Sequence, residues 1–556
     1  MKKVTSDFVN AHFYDQNYRS AWTEDGFNRL RTYLHSAWKG NSEIYTAPFA
    51  GDTPLEQVMD EWRTTLESIA SEWPTLLEFE NDLAQKVGPM SIQKPTRERL
   101  DDIRHYYDDI LLPSTPISQY ALDAVVEEFA PVRGLRLRSK RHTLELMKKS
   151  TSSGSPWFTK KRNVLDAVSP ANVWHSDDQV YAEVEGIECY NQPAVLGWRG
   201  QEGGMSADDV KQRVVWMFPF AVNLNELRVY QPLIEACQKT GLVAPWISND
   251  AVDARITDLF DSKDPSDVIV CTDFSKFDQH FNPDMAEGAR YILQAILTKD
   301  KYAADWIKDV FPIKYMIPLA WDTRVERIKV RDDTIHVNDV TYFKGKHGMA
   351  SGSGGTNCDE TLTHRALQHE VALNNGRKLN PNSMCLGDDG ILTYPGITVE
   401  DVVKSYSSHG QECNPDKQYV STQDCIFLRR WHHIDYRPDG KCRGVYSTMR
   451  AIGRLRYLER YMNPEYWGRE MVALRQLSIV ENCKWHPLFH EFIQFCMKRD
   501  KYRLGLDIPG FMSNIRELAV KATDHMPDFL GYTKTLQGET GAGIENWEVV
   551  KYLKSL

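Results

Sequence analysis

The chain has 556 residues, 42% hydrophobic and 26% charged, with a formal net charge of −10. That length predicts roughly three or four lobes; no apolar run approaches the ~18 residues that span a bilayer, and the N-terminus does not read as a signal peptide. The ten scattered cysteines form no C-x-x-C pair, which speaks for reduced thiols and against a zinc ribbon, and no G-x-x-x-x-G-K-[ST] loop supports a Walker-type ATPase.

Residues 1–150 are rich in Trp and Tyr with helical periodicity and carry no chemical motif. Between Pro131 and Asn163, ten Lys or Arg stand against the single acid Glu145. A basic segment in an acidic protein fits a channel admitting a polyanion, with a solvated loop as the plainer alternative. Residues 151–265 read as loops and short elements. Val268–Cys271 reads as a buried strand ending at Asp273. Arg327–Val330 and Thr334–Val337 alternate around Asp332-Asp333, which predicts a hairpin. After Thr356 the spacing turns helical, with Leu362, Ala366 and Leu373 on one face.

Met384–Leu386 and Gly390–Leu392 flank Gly387-Asp388-Asp389 like the arms of a hairpin. The last quarter is helical. Ile452, Leu455, Leu458 and Met462 keep helical spacing, Asn463-Pro464 offers an N-cap followed by proline, and Pro487 opens a helix striped by Phe489, Phe492 and Cys496. Such stripes are core. His432-His433, beside Trp431, lack a Cys or acid at ligand spacing and read as a solvent-facing strand rather than a metal site. Gly541-Ala542-Gly543 is too small a fragment for a dinucleotide loop. The Gly-rich stretch 538–543 predicts a flexible tail, with Trp547 and Tyr552 beyond it able to fold back into a channel.

Gly-Asp-Asp alone is weak, since roughly one chain in ten of this length carries it by chance. Adjacent carboxylates in a tight turn need cations or act as simple turn caps. Upstream company shifts the balance: Asp273 at a strand end and Asp388 at a hairpin tip are hard oxygen donors suited to Mg²⁺, with Asp389 as a third ligand. Joining a nucleotide to a strand needs two such ions, one at the 3′-hydroxyl and one at the triphosphate. A carboxylate such as Asp278 can accept a hydrogen bond from a 2′-hydroxyl, and loses that partner with a deoxyribose.

Together these segments resemble the motifs of viral RNA-dependent RNA polymerases, most closely those of double-stranded RNA viruses of the picobirnavirus and partitivirus kind. Asp273–Asp278 matches D-x-x-x-x-D, Ser351-Gly352 with Thr356 matches S-G-x-x-x-T, and Gly387–Asp389 matches the third motif. The resemblance implies Asp273, Asp388 and Asp389 as catalytic metal ligands and Asp278 at the incoming ribose. The family's second motif usually has Asn four residues after the Thr; here that position is Glu360, and Asn357 is the nearest substitute partner for Asp278. Thr151–Pro156 resembles the template-guiding T-S-x-G-x-P loop, which implies template contacts by Ser153, Gly154, Ser155 and Pro156 with Lys160 and Lys161. Lys211–Trp216 resembles the basic motif that clamps the triphosphate through Lys211 and Arg213. Lys417 is placed like the lysine that protonates pyrophosphate, and Phe427–Arg430 like the primer grip, through Leu428 and Arg429.

The implied fold is α+β, a closed right hand with fingers, an antiparallel palm sheet and a helical thumb. Its expected divisions are 1–150 as N-terminal extension and part of the fingers, 151–265 fingers, 266–447 palm with a fingers insertion near 295–345, 448–530 thumb, and 531–556 tail. The implied activity is RNA-directed RNA synthesis from ribonucleoside triphosphates with two Mg²⁺ ions, or Mn²⁺ in substitution, for genome replication and transcription. Expected partners are RNA template and product and a viral capsid protein, with no membrane, for a monomer in the virus particle and host cytoplasm. Two alternatives stay open: a DNA-making right hand of the reverse transcriptase type, which Asp278 argues against, and a catalytically silent RNA-binding or capsid-associated protein, which intact carboxylates argue against.

Overall fold

The computed structural model describes residues 8–12, 23–176, 179–189, 192–330, 333–525 and 543–556, of which 8–12, 187–189, 324–330, 333–339 and 523–525 are described by backbone alone. Helices dominate, and the described strands form four sheets. The sheet that matters most is antiparallel, in the order Met384–Leu386, Asp389–Leu392, Ile269–Thr272, Tyr419–Ser421. All four residues of Ile269–Thr272 are buried, which is why that strand reads as a continuous apolar run rather than an alternating one. The predicted hairpin is Leu319–Val330 paired with Asp333–Phe343, and it joins a five-stranded sheet with Ala194–Gln201 and Lys211–Met217.

The helix Thr356–Asn374 lies against the central strands. Fourteen of its residues are buried, including Leu362 and Ala366, whereas Leu373 is exposed. The single apolar face expected from sequence is therefore wrong: this helix is enclosed by protein along most of its length and emerges at its C-terminus. Residues 151–265 are also more regular than expected, with helices Phe220–Thr240 and Asn249–Ser262. The first is buried on several faces and carries Pro232 in its interior, so no clean stripe announces it.

The two ends of the chain share one core. Trp62, Phe79 and Val87 pack with Ile452, Leu477, Phe492 and Val549; Trp62 meets Phe492 and Phe495 with tilted rings at centroid distances of 5.0 and 5.2 Å. Several C-terminal expectations need correction. The helix through Ile452 ends at Arg456, leaving Leu458 and Met462 beyond it. Asn463 accepts from the Glu465 N–H in a local turn, and the next helix begins at Arg469, because the side chain caps its own turn instead of a helix. The helix expected at Pro487 runs Phe489–Arg499, with the predicted stripe buried.

The expected tail divides. Residues 526–542 lie outside the described residues, and with them most of the Gly-rich stretch. Glu548–Ser555 is a helix, not a flexible end. Glu481 caps it from another helix, accepting from Glu548 N–H at 3.0 Å and Val549 N–H at 2.9 Å. Tyr552 stacks on His490 and accepts from Gln494 Nε2. Trp547 and Tyr552 thus pack on the C-terminal helices rather than reaching into a channel. Nine described cysteines are buried and free, and among the described residues no helix is long and apolar enough to cross a membrane.

Candidate active site

Strand register brings the acids together. Gly390 pairs with Thr272 in the antiparallel ladder, so the next residues on the two strands, Asp389 and Asp273, fall opposite each other at one end of the sheet, with Asp388 in the adjoining turn. Helix Thr356–Asn374 grips that turn. Thr361 Oγ1 accepts from Gly387 N–H at 3.0 Å, and His364 Nδ1 lies 2.8 Å from the Gly387 carbonyl. Burial lowers His364 to about 4, so the ring is neutral near pH 7 and Nδ1–H donates to that carbonyl. Gly387 has φ +57°, a conformation that favours glycine. Asp273 is fixed by its backbone: Gln418 Oε1 accepts from Asp273 N–H at 2.8 Å while Gln418 Nε2 donates to Asp273 O at 2.9 Å.

Electrostatics join the same residues. Burial raises the Asp273 carboxyl, opposed by Lys417, Lys86 and Lys211. Burial also raises Asp388, helped by Asp278 and Asp273 and opposed by Arg213. Six of the expected site residues, Asp273, Asp278, Asp388, Lys211, Arg213 and Lys417, therefore lie within one electrostatic neighbourhood. Two carboxylates that disfavour each other's charge suit a divalent cation. Among the described residues no three His, Cys, Asp or Glu side chains converge as a ready cage, and Mg²⁺ takes few protein ligands when phosphates and water complete its shell.

Other expected residues are engaged elsewhere. Asp389 Oδ2 accepts from Leu428 N–H at 2.8 Å, and burial pushes this carboxyl up to about 7 despite that bond. One oxygen of this group thus holds a turn. In that turn Leu428 and Arg429 have φ +53° and +57°, costing about 1–2 kcal/mol each. Arg430 and His432 secure the strand Arg430–His433 beyond the turn. Arg430 donates to both oxygens of Asp253 at 2.9 and 3.0 Å, and His432 Nε2 donates to Oδ1 at 2.9 Å. His432 is buried, not solvent-facing as expected; its acidic partner lies 179 residues upstream.

The second motif is a tightly packed loop. Ser351 Oγ donates to Val214 O at 2.9 Å and shares a hydrogen bond with Tyr106. A Cβ on Gly352 would sit 1.7 Å from Trp216 O. Thr356 Oγ1 bonds the Ala350 and Ser353 carbonyls, each at 3.3 Å, so its hydroxyl closes the loop. Asn357 is not the partner of Asp278: its Oδ1 accepts from Trp246 Nε1 at 2.7 Å. That partner is Glu360. The expected template loop is also corrected, since Ser153, Gly154, Ser155 and Pro156 are buried and Ser155 Oγ donates to Gln192 Oε1 at 2.7 Å. Lys161 is buried too, donating to Thr151 Oγ1 at 2.7 Å and Ser152 O at 2.9 Å; burial lowers it to about 8. Lys160 is exposed.

Sequence reasoning missed Tyr106, Thr361, His364 and Gln418. None carries a local signal, and each acts across more than 20 residues of chain. A family model described as viral RNA-dependent RNA polymerase matches residues 96–450. The chain belongs to that family. This polymerase is similar, at 55% identity over 532 residues, to the potential RNA-dependent RNA polymerase of human picobirnavirus (strain Human/Thailand/Hy005102), covering 95% of this chain and 96% of that protein. It is also similar to the crystal structure of an RNA-dependent RNA polymerase of a human picobirnavirus, with TM-score 0.87, 53% identity, and coverage of 96% and 99% of the two chains. An insertion-loop deletion mutant of such an enzyme gives TM-score 0.86 and 51% identity with the same coverage. The picobirnavirus resemblance and the α+β right-hand fold read from the motifs are borne out, and the DNA-making alternative is set aside.

Proposed function

We propose that this RNA-dependent RNA polymerase copies RNA by two-metal nucleotidyl transfer from ribonucleoside triphosphates onto an RNA 3′-hydroxyl, for replication and transcription of a double-stranded RNA genome. The observation that supports it is the convergence of Asp273 and Asp388 at one end of a sheet, each raised by burial and Asp388 also by Asp273. Two Mg²⁺ ions, or Mn²⁺ in their place, would be held by Asp273 and Asp388. When bound they would supply Lewis acidity for the attacking hydroxyl and the leaving pyrophosphate. The remaining roles belong to the chain itself. Arg213 offers a planar fork and Lys211 a point charge to the triphosphate. Lys417 delivers a proton toward pyrophosphate, and Asp278 accepts from the ribose 2′-hydroxyl. Lys160 and Arg429 contact the RNA strands by charge. The enzyme acts as a monomer with RNA and nucleotides, inside the virus particle with its capsid protein and in the host cytoplasm.

The test is purified protein with an RNA template, four ribonucleotides and Mg²⁺. Template-length RNA is expected from the parent, and Asp388→Asn should lose at least about 10³-fold, about 4 kcal/mol of transition-state stabilisation, with an unchanged melt. Parent-level synthesis by that variant would overturn the reading.

A further inference from the structure

Helix Thr356–Asn374 starts without a cap of its own: Gly355 stands at its N-cap and makes no side-chain bond there. The orphan amides at this end are served from another helix. Glu226, in Phe220–Thr240, is fully buried, and both its oxygens bond the loop before Thr356. Oε1 accepts from Gly354 N–H at 3.1 Å, and Oε2 accepts from Ser353 Oγ. That hydroxyl oxygen in turn accepts from Gly355 N–H at 3.0 Å. Asn223, one turn earlier, donates through Nδ2 to Glu226 Oε1 at 3.0 Å and to Gly352 O at 3.3 Å. One turn later, Tyr230 lies so close to Gly355 that a Cβ there would sit 2.3 Å from its ring. Asn223, Glu226 and Tyr230 share one helix face, so a single face of Phe220–Thr240 seats the loop from 352 to 355.

The same loop is fastened to the strand that carries Arg213. Trp216 N–H donates to Ser351 O at 3.3 Å, and Ser351 Oγ donates to Val214 O at 2.9 Å. Residues 218 and 219 alone separate strand Lys211–Met217 from helix Phe220–Thr240, so strand, helix and loop close a ring in which Glu226 is a buried polar link. A negative group there also complements the positive end of the helix it caps. Removing it would strand the Gly354 N–H and the Ser353 hydroxyl away from water, which favours the loop leaving its seat. We propose that Glu226 is a positioning residue for nucleotide binding: by clasping Ser353 and Gly354 it keeps loop 351–355 against strand Lys211–Met217, and through that strand keeps Arg213 in place for the triphosphate. This rests on the reading of Arg213 as a triphosphate ligand. Glu226 acts only through the loop.

The experiment has two arms on the full chain, as parent, Glu226→Gln, Glu226→Met and Ser353→Ala, each checked by thermal melt. Amide hydrogen exchange, with no RNA or nucleotide present, follows peptides covering 351–356 and 213–217, with helix Arg469–Glu481 as the control for global opening. Glu226→Met should speed exchange at least about tenfold in both site peptides, the worth of a hydrogen bond to a charged group, and leave the control unchanged. Gln keeps an acceptor for Gly354 N–H and should stay within about threefold of the parent. The second arm measures nucleotide addition to an RNA primer–template. Glu226→Met should raise KM for all four ribonucleotides at least about tenfold with kcat within about threefold. Gln should restore KM, and Ser353→Ala should shift it the same way by less. A residue that merely supports folding would lower the active fraction, and so kcat, at unchanged KM. The inference is overturned if exchange at 351–356 is unchanged in Glu226→Met, if Gln behaves as Met does, or if the loop loosens without a rise in KM. Should Glu226→Met not fold, Ser353→Ala decides: faster exchange at 351–356 with a raised KM upholds the clasp, and parent-like values in both overturn it. A parent that makes no RNA would sink the proposed function, and the exchange arm would still decide the clasp.

Discussion

Replacing Asp253 by Asn probes how the fold supports the site from a distance. The Asp253 carboxylate receives both terminal nitrogens of Arg430 and Nε2 of His432, at 2.9 to 3.0 Å, and its side chain is 1% exposed. Burial alone would raise Asp253; His432 and Arg430 outweigh it and hold the group at about 2. Against an unfolded value near 3.9, that depression corresponds to about 2–3 kcal/mol. Breaking a buried ion pair from one side costs about 3–5 kcal/mol. Arg443, 3.6 Å away, keeps its bonds to Asp250 and Asp439, so the lower end applies and Asp253→Asn should lose about 3 kcal/mol in urea denaturation. The loss should reach the active site, because Arg430 follows the left-handed pair Leu428–Arg429 whose N–H holds Asp389. Polymerisation at 25 °C should fall several-fold. Asp253→Leu combined with Arg430→Met should be more stable than Asp253→Leu alone, since the double variant strands no charge. An unchanged denaturation midpoint and unchanged synthesis for Asp253→Asn would refute the reasoning.

Asp389→Asn preserves an acceptor for Leu428 N–H and should retain at least about a tenth of parent synthesis; a loss as deep as that of Asp388→Asn would show that Asp389 acts on the metals after all. Gly352→Ala drives a Cβ to 1.7 Å from Trp216 O, and rigid backbone on both sides should cost about 1–3 kcal/mol and most of the activity; a parent-like melt with full synthesis would contradict that packing. Glu128, Glu202 and Asp253 are all held at about 2 by cationic neighbours. Their folded values are depressed, so the stability they confer is complete above the unfolded values near 4 and is lost as pH falls through about 2. The melting temperature should therefore drop steeply between about pH 4.5 and 2, and a flat profile there would contradict the three ion pairs.

The legible parts of this protein were those in which function or burial is written in contiguous residues. Ile269–Thr272 announced itself because all its side chains are apolar or small and buried, and the hairpin around Gly387 because its arms and its left-handed glycine are adjacent. Asp273, Asp278 and Asp388 were readable because they stand, in order, in segments that resemble the motifs of viral RNA-dependent RNA polymerases, whereas each acid alone reads as a turn cap. What holds them was not readable. Gln418 grips the Asp273 backbone from 145 residues away, and Thr361 and His364 reach the Gly387 turn from a helix whose buried polar face looks like any other polar sequence. His432 illustrates the same limit, since a histidine pair with no Cys or acid at ligand spacing suggests solvent until Asp253 arrives from a helix far upstream. Helix Phe220–Thr240 escaped because it is buried on several faces, and Asn463-Pro464 misled because a good cap closes a turn as readily as it starts a helix. Glu360 was visible only as a departure, and its bond to Asp278 needed coordinates.

The most direct measurement is anomalous diffraction from Mn²⁺-soaked crystals carrying RNA and a non-hydrolysable nucleotide. The account predicts two peaks about 3.5–4 Å apart, bridged by oxygens of Asp273 and Asp388. Peaks that leave either carboxylate uncoordinated would contradict it.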